Sequence, residues 1–125
     1  MDIKKMIEVT EITEFDTELL VSKVNISIIN LYKEKDIRVY IETLKDLLEL
    51  AVHLKFDIVL KYFGAVPVVA KDERIQFQEI FKCLGTRKSN KDWFLNLFSL
   101  FLGVALVFGF DRSEIERNFY EKNSI

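Results

Sequence analysis

The hydrophobic pattern of the chain is most extreme at residues 93–110, where nearly every side chain is apolar. The small or polar exceptions Asn96, Ser99 and Gly103 are spaced so that they fall on one narrow face of a helix. A helix that is apolar on its other faces must be buried, either in protein or in a lipid bilayer. We therefore predict a buried central helix whose stripe of small residues lets another helix approach closely.

A membrane-spanning helix is the alternative interpretation, because the uncharged run reaches the lower length limit for crossing a bilayer. No cluster of basic residues marks one side of the run, as is usual beside spanning helices. An ordinary amphipathic helix also follows it, since Ser113 with Glu116 three residues later is the pattern of a capping box. We therefore favour a helical bundle in water over a small membrane protein.

The rest of the chain shows the helical spacing of apolar residues in several further segments. Asp16 can cap the second of them, while Gly64 and Gly85 are expected to end the third and the fourth. Ser89 is expected to cap the central helix. Between the third and fourth segments we predict a loop, although residues 67–70 are also compatible with a short strand. The further predicted helices are residues 1–15, 17–32, 39–63, 72–84 and 113–123.

These segments predict one all-α domain, residues 1–125, built as a bundle of four to six helices. Four glycines and one proline are few, which favours helices over a fold with many turns. Half of the residues are hydrophobic and 30% are charged, as is typical of a globular domain. A net charge of −2 and the absence of a basic stripe give no argument for a nucleic-acid partner.

Cysteine and histidine limit the chemistry that the chain can carry. Cys83 is the one cysteine, which excludes an internal disulfide bond. Because no apolar signal segment is visible at the N-terminus, a reducing cytoplasm is the expected location. His53 is the one histidine and lies far from Cys83 in the sequence, which excludes a zinc site of the usual kind. A lone histidine on a mostly apolar helix is more often a core or interface residue than a catalytic one.

One arrangement of acids could carry chemistry. Asp46 and Glu49 are three residues apart, so their carboxylates project from the same face of a helix. Two carboxylates in this arrangement can share a hard cation such as Mg²⁺, with waters or phosphates completing the coordination. The alternative is an ordinary solvated face, on which acid pairs at this spacing are common. No individual catalytic residue can be assigned from these patterns.

The C-terminal third of the chain resembles the all-α dimeric dUTPases, relatives of the MazG-type nucleotide pyrophosphohydrolases. The segments that carry the resemblance are LFLG at 100–103, FGF at 108–110, SEIE at 113–116 and YEKN at 120–123, in the family's order and spacing. The resemblance implies a dUTPase/MazG-like all-α fold and a homodimer formed through the central helix. It also implies Mg²⁺-dependent hydrolysis of dUTP, or of a similar nucleoside triphosphate, with release of pyrophosphate.

The family binds Mg²⁺ with two pairs of acids on two helices, and this chain matches only one pair. Asp46 and Glu49 correspond to the second pair, in swapped order. The first pair falls on Ser22 and Asn25, which are not acids. The resemblance therefore implies that the metal site is impaired or lost, and that magnesium is a cofactor only if the chain is active.

The end of the chain shows a second departure from the family. Lys122 and Asn123 match the start of a terminal motif that helps to close on the nucleotide, and Lys122 would meet a phosphate as a point charge. The arginine of that motif is absent. A dUTP-like nucleotide therefore remains an expected partner, together with a second copy of the chain. The alternative is a non-catalytic helical dimer that acts as a binding or structural protein.

Overall fold

A computed structural model describes residues 1–88 and 90–123, with side chains described as far as residue 121. Within these ranges the chain is helical with loops and contains no strand, so the predicted all-α class is confirmed and residues 67–70 form a loop. Seven helices are seen here, more than the four to six predicted, because the predicted helix 39–63 is two separate helices. They are α1 (Ile3–Glu8), α2 (Thr17–Glu34), α3 (Ile37–His53), α4 (Asp57–Phe63), α5 (Glu73–Gly85), α6 (Lys91–Phe108) and α7 (Arg112–Asn123).

The helices belong to two units. The first contains α1 to α4 together with α7, and the second contains α5, α6 and the residues from Ala65 that precede α5. In the first unit α2 packs along α3, while α1 contacts both α3 and α4, and α7 contacts α3. In the second unit α5 packs against α6. The assignment of the chain to one domain stays a prediction.

The pairing of α2 with α3 forms the framework of the first unit. Asp16 is the N-cap of α2, as predicted, because its carboxylate accepts hydrogen bonds from the backbone N–H groups of Glu18 and Leu19. Only Lys35 and Asp36 separate α2 from α3, and a connection this short makes the two helices antiparallel neighbours. The fully buried side chains along the pair include Leu20, Val24, Ile28, Leu31, Tyr40, Leu44, Leu47, Leu48 and Ala51.

The predicted helix 39–63 is wrong as one element, because the chain turns between α3 and α4. Lys55 has a left-handed backbone with φ of 65°. The N–H of Phe56 donates to the carbonyl of Ala51, and the N–H of Lys55 donates to that of Val52. These two bonds form a Schellman motif, in which glycine is the usual left-handed residue. With lysine in that position the sequence shows no stop signal, whereas the predicted end at Gly64 is confirmed.

The predicted first helix is also too long, since α1 ends at Glu8. The residues after it do not continue the backbone hydrogen bonds of the helix. The N–H groups of Thr13 and Glu14 instead donate to the carboxylate of Glu49 on α3. A long-range partner therefore outweighs the weak helical pattern of residues 9–15.

The second unit is built on α6, the predicted central helix. Its N-cap is Asn90, whose side chain accepts a hydrogen bond from the N–H of Trp93. The expected cap Ser89 lies outside the described residues. Gln76 of α5 is buried and its Nε2 donates to the carbonyl oxygens of Val68 and Leu100, each at 2.8 Å. Through these bonds one side chain holds the loop, α5 and α6 of this unit together.

The stripe of small residues on α6 has a partner within its own unit. Gly103 is buried, and a Cβ atom there would overlap the carbonyl oxygen of Val68 and lie 2.6 Å from Nε2 of Gln76. The N–H of Val68 donates to the carbonyl of Ser99. The close approach that the stripe predicts is therefore made by the chain's own loop.

The apolar helix α6 is long and apolar enough to cross a bilayer by length and composition, and 56% of its eighteen residues are buried inside the protein. The core helix of a soluble protein meets the same test.

In the first unit, α7 begins at Arg112, so Ser113 lies inside the helix and the predicted capping box does not mark its start. Ile115 and Phe119, which lie one turn apart on α7, are both buried.

Candidate functional site

The best-defined polar cluster of the first unit lies where α2 packs against α3. On α2, Lys23 and Ser27 are one turn apart, and on α3 Asp46 and Glu49 share a face, as their spacing predicted. Thr13, in the segment between α1 and α2, completes the group through its contacts with Glu49. We call these five residues the Lys23 cluster. Because α2 and α3 are antiparallel, their facing side chains meet in reverse order along the chain.

Glu49 is the most buried acid of the cluster, with 4% of its surface exposed. Its Oε2 accepts hydrogen bonds from the N–H of Thr13 at 2.5 Å and from the N–H of Glu14 at 3.0 Å. The hydroxyl of Thr13 lies 2.9 Å from Oε2 and 3.1 Å from Oε1, and Lys23 Nζ lies 3.3 Å from Oε1. A carboxylate offers about four acceptor positions. The acceptor positions of Glu49 are therefore taken by groups of the chain itself.

Asp46 is held by the two residues of α2. The hydroxyl of Ser27 donates to its Oδ2 at 2.5 Å, and Lys23 Nζ lies 3.8 Å from its Oδ1. The ammonium group of Lys23 therefore stands between the two carboxylates of α3. The side chain of Lys23 is 42% exposed, so solvent reaches the cluster from this side.

The environment shifts the pKa values of the two acids in opposite directions. Burial alone would raise the pKa of Glu49, but the hydrogen bonds from Thr13 and the ammonium of Lys23 outweigh it and lower that pKa. Burial raises the pKa of Asp46, and the hydroxyl of Ser27 and the charge of Lys23 only partly oppose this effect. The charged form of Glu49 is therefore favoured more than that of an ordinary glutamate, whereas Asp46 is protonated more readily than an ordinary aspartate.

The structure does not bring Ser22 and Asn25 to the two acids. Ser22 is exposed, and the side-chain amide of Asn25 donates to the carbonyl of Val21 on its own helix. Lys23 and Ser27 occupy the facing positions instead. Of the expected nucleotide-binding residues, the side chains of Lys122 and Asn123 lie outside the described residues.

The Lys23 cluster does not fit a magnesium ion as it stands. Mg²⁺ requires near-octahedral coordination by oxygen atoms at about 2.0–2.1 Å. Here an ammonium group lies beside both carboxylates, and the oxygens of Glu49 already accept hydrogen bonds from Thr13, Glu14 and Lys23. In residues 1–88 and 90–123 no group of three or more His, Cys, Asp or Glu side chains could hold a metal ion.

A small cavity of about 280 Å³ adjoins the cluster. This volume falls just below the roughly 300–1,000 Å³ that is usual for ligand pockets. Both lysines and acids line the cavity, so its surface is not electrostatically complementary to an anion or to a cation. The residues that line it are Thr10, Glu11, Thr13, Lys23, Lys45, Asp46, Glu49 and Phe119.

His53 and Cys83 each contact a side chain of a neighbouring helix. Nε2 of His53 lies 2.6 Å from the hydroxyl of Thr17, so it ties the end of α3 to the start of α2. Cys83 is buried, and its Sγ lies 3.6 Å from the side-chain amide of Asn96. Burial raises the pKa of its thiol more than the bond from Asn96 lowers it. Because the thiolate is the reactive form, Cys83 is a poor nucleophile near neutral pH.

Sequence reasoning missed Lys23, Ser27 and Thr13. Lys23 and Ser27 are one turn apart on α2, so they share a face of that helix. Once the two-residue link shows that α2 and α3 are antiparallel neighbours, this face can be placed opposite the acid pair of α3. Thr13 had no such signal, because it lies in a segment that was predicted as helix. Its role depends on a contact thirty-six residues away in the sequence.

Comparison with known proteins gave no match: no family model, no curated protein and no solved structure was found to be similar to the chain. The likeness of residues 94–125 to the dimeric dUTPases therefore remains a resemblance between short sequence segments.

Proposed function

We propose that the chain is a diverged, non-catalytic relative of the dUTPase/MazG-like nucleotide pyrophosphohydrolases, in which the ammonium group of Lys23 has replaced a metal ion. The observation that carries the proposal is the position of Lys23 Nζ, 3.3 Å from Glu49 Oε1 and 3.8 Å from Asp46 Oδ1. A lysine in this position neutralises carboxylates without offering open coordination sites. It cannot act as a Lewis acid on a phosphoryl oxygen or generate a metal-bound hydroxide.

The hydrogen bonds of Glu49 support a structural role for the former acid pair. They fasten the segment between α1 and α2 onto α3 and so help to define the start of α2. A catalytic metal ligand must instead keep its oxygens available for the ion. The function that we favour is accordingly that of a helical binding or structural protein, for which magnesium is not a cofactor.

Hydrolysis is tested with the wild-type chain, dUTP and millimolar Mg²⁺, with pyrophosphate release as the readout. We expect no release above that of a protein-free sample. Calorimetric titration with Mg²⁺ should likewise give no binding heat. Release of pyrophosphate that depends on both the protein and Mg²⁺ would show that an active site exists and that its acids lie elsewhere.

Nucleotide binding without hydrolysis is tested by thermal unfolding with a panel of nucleoside mono-, di- and triphosphates. A nucleotide that binds the native state raises the unfolding temperature by mass action. A rise that is lost in Lys122→Met would indicate a nucleotide-binding protein, because the resemblance assigns a phosphate contact to Lys122. No rise with any nucleotide would favour a structural role.

A further inference from the structure

The outer face of α2 is apolar although it is not covered by the other described elements of the first unit. Leu19, Ile26 and Ile29 follow one another at helical spacing, and they are 53%, 59% and 47% exposed. Ser22 is also exposed on this face and offers only a small side chain between Leu19 and Ile26. The opposite face of the same helix is fully buried against the first unit. Helix α2 therefore presents apolar residues on two sides, of which one is not covered by the described residues of the first unit.

Charged residues lie at both ends of this outer face, and their signs differ. Glu18 lies in the first turn of α2, and Lys33 lies in the last turn. Both side chains are exposed. The helical positions of Glu18 and Lys33 fall beside the apolar stripe formed by Leu19, Ile26 and Ile29. An acid at one end and a base at the other make this face complementary to itself when it is turned by 180°.

We propose that the outer face of α2 binds the same face of a second copy of the chain, with the two helices antiparallel. A two-fold axis near the middle of α2 places Glu18 of one copy beside Lys33 of the other, and the same pair forms again at the opposite end. The apolar residues Leu19, Ile26 and Ile29 of the two copies then meet between the charged ends. In a parallel arrangement, by contrast, like charges would face each other at both ends.

The proposed interface is small. Helix α2 has eighteen residues and is therefore about 27 Å long. One helix from each copy covers less than the roughly 1,200–2,000 Å² of a standard stable interface. We therefore expect a reversible dimer whose population depends on concentration in the micromolar range. This inference rests only on the surface of α2 and does not depend on the absence of catalysis.

The first experiment measures mass by sedimentation equilibrium over a micromolar concentration series. The wild type should rise from the 14.7 kDa of one chain towards twice that mass. Ile26→Glu should weaken the association by at least about tenfold, which corresponds to roughly 1.4 kcal/mol. The matched control is Ile58→Glu on α4, because Ile58 is also exposed, at 60%. That variant should associate like the wild type, and circular dichroism should confirm that both variants are folded.

Charge reversal tests the antiparallel orientation. Glu18→Lys and Lys33→Glu should each weaken self-association, because each creates two like-charge contacts in a symmetric dimer. Mixing the two variants should restore association, since every Glu18–Lys33 position then again holds opposite charges. The double variant Glu18→Lys with Lys33→Glu should also associate by itself.

Two results would overturn the proposal. The first is a wild type that stays monomeric throughout the concentration series. The second is an association that Ile26→Glu and Ile58→Glu affect equally. If the mixture of the two charge variants associates no better than each variant alone, the antiparallel arrangement is wrong.

Discussion

A buried carboxylate needs a partner for each of its oxygens, and Glu49 obtains several from residues that are distant in the sequence. The N–H groups of Thr13 and Glu14 would otherwise be available to extend α1. Hydrogen bonds to charged groups are worth more than those between neutral groups, about 1.5–3 kcal/mol each. The preference of residues 9–15 for a loop is therefore explained by one side chain on α3.

Glu49→Gln should lower the free energy of unfolding by about 1–3 kcal/mol at neutral pH, because the amide loses the charge that attracts Lys23 and sets an N–H group against other donors. Urea denaturation measures the effect, with Glu79→Gln on the exposed face of α5 as the control. That control should change stability by less than about 0.5 kcal/mol.

The difference in unfolding free energy between the wild type and Glu49→Gln should also depend on pH. Because the pKa of Glu49 is lowered on folding, its stabilisation is complete above the ordinary glutamate value of about 4.3 and is lost as pH falls through the lower folded value. Asp46 has the opposite sign, since its raised pKa favours the folded state most at acid pH. The charge of Glu49 is only one of the smaller causes of that raised pKa, after burial, so the difference between wild type and Glu49→Gln should still shrink on acidification. A constant difference from neutral pH to about pH 3 would contradict this assignment.

Among the elements, most of the helices could be predicted because their apolar spacing and caps are local. Asp16 and Asp72 cap α2 and α5, and Gly64 follows the last residue of α4. The break after α3 could not be predicted, because Lys55 takes the left-handed position at which glycine is the usual signal. In the candidate site, the shared face of Asp46 and Glu49 followed from their spacing. Their partners did not, since facing positions depend on how two helices pack.

Gly103→Ala tests the close packing between α6 and the loop before α5. Alanine is a better helix former than glycine by roughly 1 kcal/mol, so helix propensity alone would stabilise the variant. The Cβ atom would instead meet the carbonyl of Val68 and the side chain of Gln76, and we expect a net loss of about 1–3 kcal/mol.

The control for this change is Gly85→Ala in α5, where no atom lies within 4 Å of the added carbon. That variant should be neutral or slightly stabilised in thermal or urea unfolding. A stabilised Gly103→Ala would mean that the loop does not lie against α6 as described.

For the molecule as a whole, the proposed relation to metal-dependent pyrophosphohydrolases can be tested by trying to build a metal site in two alternative registers. The structure places Lys23 and Ser27 opposite Asp46 and Glu49, so Lys23→Glu with Ser27→Glu should gather four carboxylates in one space. The resemblance places Ser22 and Asn25 there, so Ser22→Glu with Asn25→Glu is the matched comparison with the same number of new acids. The two variants test two different assignments of the α2 residues that face α3.

Without metal, the Lys23→Glu/Ser27→Glu variant should be less stable than the wild type, because four nearby carboxylates repel and raise one another's pKa values. Millimolar Mg²⁺ should relieve the repulsion and raise its unfolding temperature, since an ion that binds only the native state stabilises by mass action. The Ser22→Glu/Asn25→Glu variant keeps Lys23 and should respond to Mg²⁺ no more than the wild type. Thermal unfolding with and without Mg²⁺ distinguishes the cases: a larger response of the Ser22→Glu/Asn25→Glu variant would support the register of the dUTPase resemblance, and equal responses would mean that neither pair completes a metal site.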